Sequence, residues 1–465
     1  MQRSVTDNKA VDRSADVAIH KPFFLGGILT VLTVGCLLGA VALMGISARG
    51  SYTTSAWSPF VLAHANSQLY GWVGLFVMGF SLKQHAPRES RKRLFSALAY
   101  ASLALVSVSI LLRFLAEPNV QNNRELWLPV GILSGVMQAV AVFLFIVNTA
   151  VTRHKPVDQA TGQAIGMPWQ SILILTSLMW WFLVAVAEPI CFALAHQTEP
   201  ELSIMFVAKW FVPLRDAQFL GFVVNMIAGV ALSRFGSEFG VRAASRTLGL
   251  AGFVLWNGGL VARMLGWLRY FDAGMVTGSG TLYFCAGAAL AAGAVCFVAG
   301  SKIFSRVGSP SPATVFVRTA MVWLLISGAL IVLEPAHLGR LGQLFSHAFT
   351  GAIRHALTVG FISQMIIGMS LQIVPRLRGL ETAEIYPTAA LWTIFTLLNT
   401  GNALRVGGQI VTDYSASGFP LMGMTGFVEL SGLVLWAALV VAAMFAKSNS
   451  APIGRASQSP AVGAR

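Results

Sequence analysis

Eight histidines occur in 465 residues, and they are unevenly placed. His20, His85 and His154 lie in basic segments beside apolar runs, and His196 and His337 read as parts of short outer loops. His64, His347 and His355 instead open long apolar segments, in LAHANSQLYGWVG and FSHAFTGAIRHALTVG. A neutral imidazole is a good axial ligand for haem iron. Two imidazoles at similar depth on facing helices are suited to clamp a flat macrocycle. A polar ring in hydrocarbon needs some partner in any case. The plainer alternative is that each histidine only hydrogen-bonds to neighbouring helices. His347, two turns before His355, reads as a third ligand, a propionate contact or an interfacial residue.

Arginines supply the complementary charge. Arg215 and Arg354 open two related apolar segments, and Arg263 and Arg405 end two others, in GGLVARMLGWL and LLNTGNALRVGGQ. A guanidinium fork matches a carboxylate such as a haem propionate; snorkelling to headgroups is the competing explanation. Glu429, inside an apolar run, is a candidate proton site or cation partner. Asn225, Gln138 and Gln364 are expected to tie helices together, and Trp180 and Trp181 to serve packing.

The elements that position these groups repeat. HANSQLYGWVGLFVMGFSLKQHAPR (64–88), RDAQFLGFVVNMIAGVALSRF (215–235) and RHALTVGFISQMIIGMSLQIVPR (354–376) align when Gly79, Gly229 and Gly368 are set in register. The same register superposes Gly71, Gly221 and Gly360. His64 and His355 then differ by two positions, ~3 Å of helix rise. Asp216 takes the place of His355 in the middle copy and is expected to pair with a neighbouring arginine, which makes that copy structural. Arg113, Arg263 and Arg405 follow in step on the next helices. LVAVAEPI with Glu188 and LIVLEPAH with Glu334 precede the second and third copies, whereas the first is preceded by VALMGISA. Gly-rich apolar helices that merely look alike are the rival explanation of the repeat.

Composition fixes the class. Hydrophobic residues make up 55% of the chain and charged residues 11%, with the charges gathered between apolar runs long enough to cross a bilayer. The expected fold is an all-α membrane protein of twelve transmembrane helices, from 23–45 to 420–446, in three pseudo-symmetric four-helix units (21–155, 168–306 and 314–446). The tails 1–20 and 447–465 are expected to be cytoplasmic, the second disordered. The net charge of +14 then follows from basic inner segments such as Lys83, Arg88, Arg91, Lys92 and Arg93, so it sets topology and does not call for nucleic acid. The N-terminus lacks a cleavable signal pattern. Cys36, Cys191, Cys285 and Cys296 form no CxxC or CxxCH, so neither a zinc site nor covalent haem is indicated.

At HANSQLYGWVGLFVMGFSL, RHALTVGFISQMIIGMSLQIVP and the opening HKPFFLGG, the chain resembles the NnrS family, membrane proteins of the bacterial nitric oxide response that contain haem and copper. In plan it is similar to subunit I of haem-copper oxidases, with twelve spans in three units. The resemblance implies one haem b with His64 and His355 as axial ligands, an inner-membrane location, a redox partner protein and nitric oxide as a ligand. Copper is implied too, yet spans six and seven carry no histidine and span ten ends in IVPRLRG. Two rivals stand beside this reading: a cofactor-free membrane transporter, and a haem-copper-type oxidoreductase subunit lacking its own copper site.

Overall fold

A computed structural model describes residues 19–52, 57–85, 87, 89–152, 167–276, 278–308, 310–380 and 382–446. Residues 1–18, 447–465 and His154 lie outside the described residues; His20, expected in the tail, opens the first helix instead. The chain is all-helical: α1 (His20–Arg49), α2 (58–84), α3 (Lys92–Asn119), α4 (Arg124–Thr152), α5 (Ser171–Ala195), α6 (Pro200–Phe239), α7 (Arg246–Asp272), α8 (Thr281–Ser301), α9 (Thr314–Leu341), α10 (His347–Arg376), α11 (Thr388–Thr412) and α12 (Gly418–Phe445), with one short helix at Thr382–Ile385.

Ten of these helices are long and apolar enough to cross a membrane; α2 and α11 fall short of that hydropathy. The reason lies in the residues of interest. α2 carries His64, Asn66, Ser67 and Gln68, and α11 carries Asn399, Asn402, Arg405 and Gln409. Most of these side chains face the interior, while Leu111, Phe143, Leu183, Val254, Val295 and Leu333 of other helices point outward. An apolar exterior over a partly polar interior is what a bilayer selects.

The three related helices share more than glycines. α2, α6 and α10 each widen into a π segment, at Gln68–Gly74, Ala217–Val224 and Ala356–Ser363. Each is centred on the shared glycine, Gly71, Gly221 or Gly360. One turn of π geometry inserts an extra residue and marks functional positions in many helices. The partner helices match as well. A Cβ added at Gly79, Gly229 or Gly368 would lie 2.8, 2.7 or 2.6 Å from Phe24 of α1, Ile174 of α5 or Val317 of α9. Absence of a side chain lets each pair of backbones approach. The ring of helices closes where α12 meets α1, with Gly426 against Ala40.

Prolines do not end helices here. Pro118, Pro189 and Pro335 lie inside α3, α5 and α9, because neighbouring helices can satisfy the freed carbonyls in a membrane protein. The EPAH stretch therefore continues α9 to Leu341, and His337 is a buried helical residue rather than part of a loop.

Candidate functional site

His64 reaches from α2 to α1, where its Nδ1 lies 2.7 Å from the carbonyl oxygen of Gly35. That carbonyl is available because α1 has its own π segment, Val31–Gly35, and Gly35 leaves helical geometry with ψ −108°. The ring then rests on Gly39, where an added Cβ would meet Cε1 at 2.6 Å. His355 sits on α10 with Nδ1 2.8 Å from the carbonyl oxygen of Gly351, one turn back. A carbonyl oxygen only accepts, so both rings carry their proton on Nδ1 and present an unprotonated Nε2. The Nε2 of His355 lies 3.4 Å from Nη2 of Arg405 on α11. His64 and His355 are close enough for their charges to interact. Both are partly buried within the bundle.

Around this pair the polar groups are incompletely matched. Among the described residues, Nε and Nη1 of Arg405, Oε1 of Gln409 and Oε1 of Glu429 are buried without a hydrogen-bond partner. Glu429 of α12 is within charge range of Arg405 but makes no ion pair with it. Buried unpaired groups are costly, so several together call for an explanation.

The other two helix-end arginines are engaged by carboxylates of the chain. Arg113 of α3 donates to Glu117 at 2.5 Å and lies 3.7 Å from Glu188 of α5. Glu188 also meets Arg215 at 3.4 Å and accepts from Gln218 of α6. Arg263 of α7 is 3.3 Å from Asp216 of α6 and 3.1 Å from Glu334 of α9; it also donates to the Tyr283 hydroxyl at 2.5 Å. The expected pairing of Asp216 with an arginine is thus present. Arg215 and Arg263 have resident carboxylates, whereas Arg354 and Arg405 make no ion pair among the described residues.

Other expectations sort plainly. His347 is exposed at the start of α10, its ring edge-on to Phe345 at 4.9 Å. His20 is buried against Phe24. Gln138 pairs reciprocally with Asn66, Asn225 with Asn257, and Gln364 with Asn399. Trp181 stacks on Phe222 at 4.3 Å and Trp180 covers Gly221. Asn225 and Asn257 join α6 to α7. Among the described residues no group of three or more His, Cys, Asp or Glu side chains converges as a metal site.

Sequence reasoning missed a cluster at the end of α9. His337 Nε2 lies 2.7 Å from Asp413 Oδ2, the Ser346 hydroxyl donates to the same oxygen at 2.6 Å, and the ring stacks on Phe349. Ser346 also caps α10 by accepting from the Phe349 amide. Glu117 was missed too, although its four-residue spacing from Arg113 was a readable signal. Compared with known proteins, the chain matches no family model and no curated protein sequence.

Proposed function

We propose that this chain is a haem protein of the NnrS type, with one haem b between α2 and α10. The observation that carries the reading is the matched setting of His64 and His355: each Nδ1 is held by a glycine carbonyl, which fixes the tautomer and leaves Nε2 as the ligating nitrogen. Metal-bound histidines are oriented by the same kind of outer hydrogen bond. Arg405 and Arg354 are the guanidinium groups free to meet propionates, since Arg215 and Arg263 already hold carboxylates. A haem bound there supplies a one-electron iron couple. Two histidine ligands leave no open iron position, which favours electron transfer or sensing in a nitric oxide response over gas reduction.

In this reading α2 and α11 cross the membrane with the other ten helices, giving twelve spans in three units with both ends of the chain on the cytoplasmic side of a bacterial inner membrane. The polar residues that lower the hydropathy of α2 and α11 are then the site itself. The repeated π segments and the repeated arginines of α3, α7 and α11 support the three-unit plan. Copper gains no support from α6 and α7.

One observation favours the cofactor-free transporter: Nε2 of His355 already has Arg405 as a neighbour at 3.4 Å. An optical spectrum of detergent-purified protein after haem-replete expression separates the two. The haem reading expects a reduced-minus-oxidised b-type spectrum that is lost in His64→Ala and in His355→Ala. Colourless, well-folded protein refutes it and leaves the transporter. Bound haem retained in both variants refutes the ligand assignment alone.

A further inference from the structure

The opposite end of the molecule carries a crevice that the haem reading does not use. A cavity of about 330 Å³ opens between α8 and α9, walled by Val295, Val298, Leu325 and Phe304, with Arg242 and Lys302 at its edge. Val295 lies seven residues before Lys302, so the apolar wall extends ~10 Å along α8 from the level of the two cations. Neither Arg242 nor Lys302 makes an ion pair among the described residues. The turn beneath them is held in place. The Arg318 guanidinium donates to the carbonyls of Ile303 and Ser305 at 3.0 and 3.2 Å, and the Arg242 amide is 3.3 Å from the Ser305 hydroxyl.

Lys302 is the independent clue. It caps α8 in the left-handed conformation, φ 58°. The equivalent residue after α1, α6 and α9 is glycine: Gly50, Gly240 and Gly342. Glycine is the default there because an L side chain is disfavoured at positive φ. α8 instead retains a long cation in that conformation, at the mouth of an apolar crevice. Backbone strain of this kind clusters at ligand sites; of the two described non-glycine residues at positive φ, Met275 and Lys302, Lys302 carries the charge.

We propose that this crevice binds an anionic phospholipid, its phosphate between Arg242 and Lys302 and its first acyl carbons along Val295, Val298 and Leu325. Hydrocarbon walls below paired cations match the amphipathic shape and charge of that ligand, and basic pockets between membrane helices bind lipid headgroups in this way. The inference is independent of the haem reading.

The test uses the full chain, delipidated in detergent, with thermal unfolding and native mass spectrometry as readouts. Added phosphatidylglycerol should raise the midpoint and remain bound, several-fold more than phosphatidylcholine. Lys302→Gly relieves the backbone and removes the charge. It should therefore unfold at the same or a higher temperature without lipid, while its phosphatidylglycerol shift falls to the level of phosphatidylcholine. Arg242→Gln should lose the same shift, and Lys302→Arg should keep it. Equal shifts with the two lipids, or an undiminished shift in both Lys302→Gly and Arg242→Gln, would overturn the proposal. An equal response to inorganic phosphate would overturn it in favour of a simple phosphate site.

Discussion

Arg263 and Arg405 occupy the same place in two related pairs of helices, and their surroundings differ. Both lie six residues beyond an asparagine, Asn257 or Asn399, that pairs with the preceding helix. Both touch the residue five positions before the shared glycine: Asp216 for Arg263 and His355 for Arg405. From there they diverge. Arg263 also receives Glu334 from α9 and the Tyr283 hydroxyl from α8. The helix that closes the ring beside Arg405 is α1, which has VALMGISA where α5 and α9 have their glutamates. Two guanidinium nitrogens of Arg405 therefore stay unpartnered. One pair of helices ion-pairs its cation with the chain's own carboxylates; the other has a histidine where the first has an acid, and its cation has Glu429 only within charge range. Buried charge persists only when matched: Glu429 lies within charge range of Arg405, and in the haem reading proposed above a propionate would meet its unpartnered nitrogens.

The largest expected effect tests that difference directly. Arg263→Met strands Asp216 and Glu334 in the interior, which should cost about 3–5 kcal/mol of stability. Arg405→Met breaks no ion pair but removes a cation within charge range of buried Glu429, so in haem-free protein it should cost less, about 1–3 kcal/mol. In the haem reading the same substitution should also weaken haem retention about tenfold, the worth of one charge-assisted hydrogen bond. Thermal unfolding and haem titration of the two purified variants check this, and equal destabilisation would break the comparison.

A smaller effect is expected on the histidine side. Gly39→Ala places a methyl 2.6 Å from Cε1 of His64, and overpacking of this kind costs about 1–3 kcal/mol. Because the ring must move, the haem reading expects the spectrum to shift or vanish. Gly407→Ala in α11 is the control: nothing lies within 4 Å of its added Cβ. Gain of helix propensity should then stabilise α11 by about 0.5–1 kcal/mol with the spectrum unchanged. A normal spectrum in Gly39→Ala would mean that His64 is not held as described.

Much of this was readable before the structure, for physical reasons. The shared glycines at 71, 221 and 360 leave their mark because close helix approach tolerates only the smallest side chain. The pairing of Asp216 followed from charge alone. The π segments were not legible, since no residue type encodes an inserted residue in a helical turn. Their consequence, a Gly35 carbonyl turned toward His64, was therefore invisible too. His337 was misplaced because Glu-Pro reads as a helix end in water, a rule that neighbouring helices relax in a membrane protein. Which arginines were already occupied required the fold, because Glu334 and Arg263 lie 71 positions apart.

The smallest difference lies in the amide pairs that tie the same helices. Asn257 exchanges hydrogen bonds with Asn225 at 3.0 Å in both directions. Asn399 does the same with Gln364 at 2.9 and 3.2 Å, and it also accepts from the Trp323 indole at 3.0 Å. Interhelical hydrogen bonds in membrane proteins average about 0.6 kcal/mol. Asn257→Ala should therefore cost about that amount, because the Asn225 amide still donates to the Gly221 carbonyl at 2.8 Å. Asn399→Ala leaves both Gln364 and the Trp323 N–H without their partner, and should cost about 1–2 kcal/mol more. Thermal unfolding of the two single variants resolves the gap. Equal losses would mean that the Trp323 contact contributes nothing, and that α9 is joined to α11 by packing rather than by that bond.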